Sequence, residues 1–167
     1  MRIPTLSIFI LTCLLLTVQA ADTDSQKYAN ARFGFVLTYP KALVAGKEPA
    51  NGAGREFHTS DGEFSVLAQG HFLRKDEGDT FDKRWADELR ELGDTVTYKK
   101  KAATWFVVSG VTKKGVEFYR KFYAKGSNWV ALEITYPHAQ NKKYDPWVSK
   151  IEKSFTPFRE GDFDRHD

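Results

Sequence analysis

Apolar and polar residues alternate most strongly between Ala102 and Tyr136. That pattern predicts three consecutive strands, Trp105–Val111, Val116–Tyr123 and Trp129–Tyr136, each rich in the aromatic and β-branched residues that suit a pleated surface. Lys114-Gly115 and Lys125-Gly126-Ser127-Asn128 supply the hairpin turns, with glycine giving the positive φ that tight turns need. With Lys114-Gly115 as a two-residue turn, one face carries Trp105, Val107, Val111, Phe118, Phe122, Val130, Leu132 and Ile134. The other carries Glu117, Tyr119, Lys121 and Glu133. Tyr119, Tyr123 and Trp129 then lie opposite the main core, and a helix laid over them would give the sheet two cores, one per face.

Upstream, Asp22–Gln26 is a polar lead. Phe33, Phe35, Leu37 and Tyr39 alternate with Gly34, Val36 and Thr38, which predicts a strand ended by Pro40. Lys41 to Gly54 reads as a loop with a helical turn at Leu43-Val44. Arg55–Thr59 and Glu63–Gly70 form a hairpin around Ser60-Asp61-Gly62. Asp79 or Thr80 caps a helix that runs to Leu92 and stops at Gly93, with Phe81, Trp85, Leu89 and Leu92 as its apolar stripe. Thr95–Tyr98 is a short strand. Asp145-Pro146 starts a second helix, with Trp147, Ile151 and Phe155 facing inward and Pro157 ending it. The order predicts an α+β fold: an antiparallel sheet of about six or seven strands with helices packed on both faces.

The extreme N-terminus changes the picture of where this domain works. Met1-Arg2, the apolar run from Leu6 to Val18 and the Val18-Gln19-Ala20 boundary make residues 1–20 a secretory signal peptide. The run is shorter than the ~20 residues of a spanning helix, so no stable membrane insertion is expected after cleavage. Cys13 is the only cysteine and lacks the context of a lipid-modified one. A secreted domain without cysteine depends on its apolar core rather than on disulfides. Residues 21–158 are expected to form one domain, and 159–167 a charged tail. The chain carries 25 Lys and Arg against 22 Asp and Glu, and loss of Arg2 with the leader leaves a net +2. That balance gives no argument for nucleic acid.

Several pieces together resemble a known family: Phe33-Gly34-Phe35 through Tyr39-Pro40, Asn51-Gly52, Asp61-Gly62, Trp105 through Gly110, Tyr119-Arg120-Lys121, Tyr136-Pro137 and Ser154-Phe155. They resemble secreted bacterial proteins whose domain is similar to the α/β/α sandwich of PsbP, the extrinsic subunit of photosystem II. The resemblance spans about Tyr28 to Phe158. It implies a fold class that includes protein-binding adaptors, envelope lipoproteins and secretion chaperones. It transfers no functional residue, since the matching motifs are turns and strand ends.

Candidate chemistry is sparse. His58 stands near Asp61 and Glu63, a set that suits a weak metal site or a general base, or else a surface imidazole on a hairpin; His71 lies on the next strand. No metal-ligand spacing, nucleophile elbow or phosphate loop occurs. Ser109 is mid-strand, and Asn51-Gly52-Ala53-Gly54-Arg55 opens no helix. Arg120 shares a face with Phe118 and Phe122, between Ser109 and Leu132. It is either an anion or partner pocket or a structural ion pair with a helix carboxylate such as Glu88.

The expected function is a non-catalytic binding or adaptor domain of the envelope, monomeric, with no cofactor, no metal and an envelope protein as partner. Its site is expected on the loop rim and Arg120, with Arg55, His58, Asp61, Lys113, Lys114 and Arg120 as binding residues. Three alternatives are an immunity protein that blocks a toxin, a small-ligand or lipid carrier with an apolar cavity of at least ~300 Å³, and a hydrolase built on His58.

Overall fold

A computed structural model describes residues 24–159. The signal peptide expected at residues 1–20 and all but the first residue of the tail expected at 159–167 lie outside the described residues. Among the described residues nine strands and two α-helices follow one another: β1 Ser25–Asn30, β2 Phe35–Pro40, β3 Val44–Ala45, β4 Gly54–His58, β5 Ser65–Phe72, α1 Phe81–Leu92, β6 Val96–Lys101, β7 Trp105–Val111, β8 Val116–Lys125, β9 Asn128–Pro137 and α2 Asn141–Ser154. β3 to β9 form one antiparallel seven-stranded sheet in the order β3-β4-β5-β9-β8-β7-β6. β1 and β2 form a separate hairpin. This is the α+β sandwich with helices on both faces that the pattern predicts.

One face of the sheet is closed by the β1–β2 hairpin and α2. Phe35 and Leu37 of β2, Phe57 of β4, Val66 of β5, Leu132 and Ile134 of β9 and Tyr144 and Ile151 of α2 are fully buried there. The other face is closed by α1, whose Phe81 and Trp85 rest on Phe106, Phe122, Trp129 and Ala131. The two cores expected from the sequence are therefore present, one per face. β9 is the middle strand of the seven, and Trp129 to Leu132 are buried in succession because layers cover both of its sides.

The assignment of residues to faces is the main correction. Thr112 pairs with Val116 across three residues, Lys113-Lys114-Gly115, rather than across the two-residue turn expected at Lys114-Gly115. The Thr112 amide donates to the Val116 carbonyl at 2.8 Å, and the Val116 amide donates to Thr112 Oγ1 at 3.1 Å. Gly115 takes φ +74° at the third loop position, as a three-residue hairpin with a glycine bulge requires. One added residue exchanges the faces. Trp105, Val107 and Ser109 therefore pair with Tyr123, Lys121 and Tyr119 and share the α2 face with Val130, Leu132 and Ile134. Phe118 and Phe122 share the α1 face with Phe106, Val108 and Ala131. Trp129 pairs with Ala124 and His71 and so lies on the α1 face, apart from Tyr119 and Tyr123.

Three smaller expectations also change. The polar lead is ordered from Ser25 as β1, because its backbone can pair with β2 whatever its side chains are. Val44 belongs to a two-residue edge strand rather than to a helical turn. α2 begins at Asn141, so Pro146 lies inside it. The earlier start seats Tyr144 in the core, and Asp145 accepts a hydrogen bond from Tyr136 Oη at 2.9 Å instead of capping the helix. Thr80 caps α1 through its side chain, accepting from the Lys83 amide at 3.1 Å, and Gly93 ends it at φ 50°.

Candidate binding groove

The six residues expected to bind do not converge. Asp61, Lys113 and Lys114 lie at the end of the sheet where β4, β7 and β9 finish; Arg55 lies near the opposite end, where β4 begins. Arg55 closes a structural clasp: its guanidinium is 5.3 Å from the Tyr28 ring and 3.4 Å from Glu48, which accepts from Tyr28 Oη at 3.0 Å. His58 Nδ1 is 3.0 Å from the Thr59 carbonyl. Asp61 accepts from Thr59 Oγ1 at 2.5 Å and from the Glu63 amide at 3.0 Å, and these two bonds hold its carboxyl below the usual range. Glu63 accepts from Gln140 at 2.6 Å. Asp61 is thus occupied in holding the hairpin loop, and Glu63 in tying it to the turn before α2. His71 is six residues from the Ser65 that pairs with His58, about 20 Å along the strand at ~3.3 Å per residue. Among the described residues no group of three His, Cys, Asp or Glu side chains could hold a metal ion. Lys113 and Lys114 are exposed at their turn.

Arg120 is a structural ion pair, with Val108 and Glu133 as its cross-strand neighbours rather than Ser109 and Leu132. Its guanidinium bonds Glu88 of α1 at 2.9 Å and lies 3.4 Å from Glu133 and 3.8 Å from Glu91. Burial works against its charge, but the three carboxylates outweigh that and hold it firmly ionised. Burial pushes the Glu88 carboxyl up; its bond to Arg120 opposes this, and the like charges of Glu133 and Glu91 add to it. Beside this pair opens a charged 420 Å³ cleft under α1, bordered by Arg74, Asp79, Arg84, Asp87, Glu88 and Glu91.

A different surface leaves aromatic side chains open on the α2 face. α2 packs chiefly on β2 and β9, and between it and β6 and β7 the face stays open. The uncovered strip is an open 280 Å³ groove lined by Tyr98 and Lys100 of β6, Trp105 of β7, Tyr119 and Lys121 of β8 and Glu152 of α2. Tyr98 is 53% exposed, although aromatic. Lys121 Nζ bonds Glu152 at 2.6 Å and lies 5.3 Å from the Trp105 and Tyr123 rings. Burial alone would lower the Lys121 pKa, and its bonds to Glu152 and Tyr123 raise it instead. Burial and the nearby Glu152 push the Tyr119 phenol up, so it stays protonated. The groove therefore presents fixed aromatic walls around a fixed ion pair, with Lys100 Nζ 5.7 Å from the Trp105 ring at its lip. Such a surface can hold a partner by apolar area and cation–π contacts. The sequence reading missed it because the two-residue turn placed Tyr119 and Lys121 on the face opposite Trp105 and Val107. Lys-Lys-Gly, with glycine third, was the signal for the longer turn.

The layers, strand order and helix positions define a PsbP-like α+β fold. The solution structure of cyanobacterial PsbP (CyanoP) from Synechocystis sp. PCC 6803 is similar, with a TM-score of 0.59 at 9% identity, covering 83% of this chain and 95% of that one. A crystal structure of a protein from Bacteroides thetaiotaomicron VPI-5482 is similar at a TM-score of 0.50 and 15% identity, covering 83% of this chain and 50% of that one. At these identities the likeness shows the fold alone. No protein-family model and no curated protein matches the sequence. No helix among the described residues is long and apolar enough to cross a membrane.

Proposed function

We propose that this chain is exported through its N-terminal signal and acts in the envelope as a binding or adaptor domain that captures a protein partner without transforming it. The observation that carries this reading is the groove between α2 and the β6 edge, where Tyr98, Trp105 and Tyr119 stand together at an open surface. Aromatic residues set on a rigid element cost little ordering on binding. The export signal supports the location, and the fold supports a scaffold role by analogy. A carrier role finds less support, because the 280, 320 and 420 Å³ cavities open to the surface and the 420 Å³ one is lined by charges. The test is capture from envelope extract with the wild-type protein and with Trp105→Ala as baits. The expected result is one stoichiometric protein retained by the wild type through ~0.5 M salt, where exposed charges are screened, and lost with Trp105→Ala. Equal retention by both baits, or none by either, overturns the reading.

A further inference from the structure

We propose that the groove takes an extended, acidic segment of the partner, added beside β6 as an eighth strand of the sheet; this rests on the groove reading above. β6 ends the sheet, with a six-residue run whose outer side has no neighbouring strand among the described residues. The opposite edge, β3, has two residues and offers too short a template. An incoming extended chain gains main-chain hydrogen bonds along such an edge, and its alternate side chains fall to the two faces. On one face they meet the groove beside Tyr98 and Trp105. On the other they meet the side of Lys99 and Lys101.

Charge selects the occupant. Lys99, Lys100 and Lys101 stand in a row on this edge. Lys101 is bonded to Asp82 at 2.5 Å, whereas Lys99 and Lys100 carry no ion pair among the described residues. Edge lysines commonly keep sheets from pairing edge to edge. Here two copies of β6 would oppose three lysines to three, so a second copy of this chain is disfavoured. A basic strand meets the same repulsion. Only an acidic strand turns the repulsion into attraction, so the device that guards the edge also sets its specificity. Lys100 lies beside the Trp105 ring, so its ammonium is already placed at the groove's lip.

The test uses the ¹⁵N-labelled protein lacking only residues 1–20 and two capped synthetic octapeptides, one alternating glutamate with valine and one alternating lysine with valine. The glutamate peptide, raised to millimolar concentration, is expected to shift the amides of Val96–Lys101 and the Trp105 indole and to slow exchange at β6 about tenfold. The lysine peptide is expected to do neither, and Lys99→Glu with Lys100→Glu should reverse the preference. Equal response to both peptides, shifts confined elsewhere, or no response at millimolar glutamate peptide overturns the proposal. If the glutamate peptide fails while Trp105→Ala still abolishes envelope capture, the groove reading stands and its occupant is not an acidic strand. If Trp105→Ala leaves capture unchanged, the groove reading itself falls.

Discussion

On the α2 face, Phe35, Leu37, Phe57, Phe64, Val66, Leu132 and Ile134 are fully buried, and α2 adds Tyr144 and Ile151. On the α1 face the helix buries none of its own residues; it rests Phe81 and Trp85 on Phe106 and Trp129 and is tied down by charge. Arg120 reaches Glu88, Arg84 bonds Asp79 at 2.6 Å with its guanidinium 4.2 Å from the Trp129 ring, and Lys101 reaches Asp82. Apolar burial gives most of the folding free energy, while pairs that keep one foot in water give little. The α2 face should therefore carry the stability of the domain, and α1 should be the element that loosens first. The groove sits on the stable face, beside the edge strand that α2 leaves bare.

The widest gap between the faces should appear on truncation. Ile151→Ala is expected to cost ~2–5 kcal/mol in denaturant unfolding, and Trp85→Ala only about 1–2 kcal/mol, since its ring is half buried. Equal costs would erase the comparison. Arg120→Ala comes between them, at about 2–4 kcal/mol, because it strands Glu88, Glu91 and Glu133 around an empty place. Glu88→Gln in the same background should recover part of that loss. Thr80→Ala, which removes the α1 cap, should cost ~1 kcal/mol and speed amide exchange in the first turn of α1 without touching α2.

The smallest effects should separate the faces by pH. Burial, with Arg84 and Arg32 nearby, lowers the pKa of His71, which stacks on Trp129 at 4.8 Å. A lowered pKa means the folded state resists the proton, so this contribution is present above pH ~6.5 and is lost as pH falls below it. Glu88, raised by burial, changes in the opposite sense above pH ~4.5. Mild acid should thus loosen α1 first, seen as a Trp129 fluorescence change that His71→Phe removes. On the α2 face, burial pushes Tyr28 up to about 12 and raises Tyr119 and Tyr136 as well. These groups hold their protons in the folded state, so their contribution is full below pH ~10 and fades above it. Alkali should act first on the α2 face, and an acid-sensitive Tyr28 environment would contradict this assignment.

Much of this architecture can be read from residue order. The strand periodicities, the Thr80 and Gly93 helix stops and the Arg120–Glu88 pair follow from local chemistry. The distribution of residues between faces does not, because a single turn residue decides it. Counting Lys113 into the loop brings Tyr119 and Lys121 onto the face of Trp105 and takes Phe118 and Phe122 off it. β1 is illegible for a related reason: Ser25–Asn30 has little apolar pattern, and its strand is imposed by β2. Pro146 misleads because a proline favours a helix start, yet burying Tyr144 draws the helix back to Asn141. The groove was hidden by the same turn, and the loop rim expected as the binding surface divides between the two ends of the sheet.

The most direct test is a hydrogen-exchange footprint of residues 21–167 in complex with the protein that the capture experiment retains. The account predicts new protection at Val96–Lys101 and along Val148–Glu152, with Ser60–Gly62 and Lys113–Gly115 unchanged. Protection of those two loops, with β6 exchanging as in the free protein, would contradict the groove and return the binding surface to the rim.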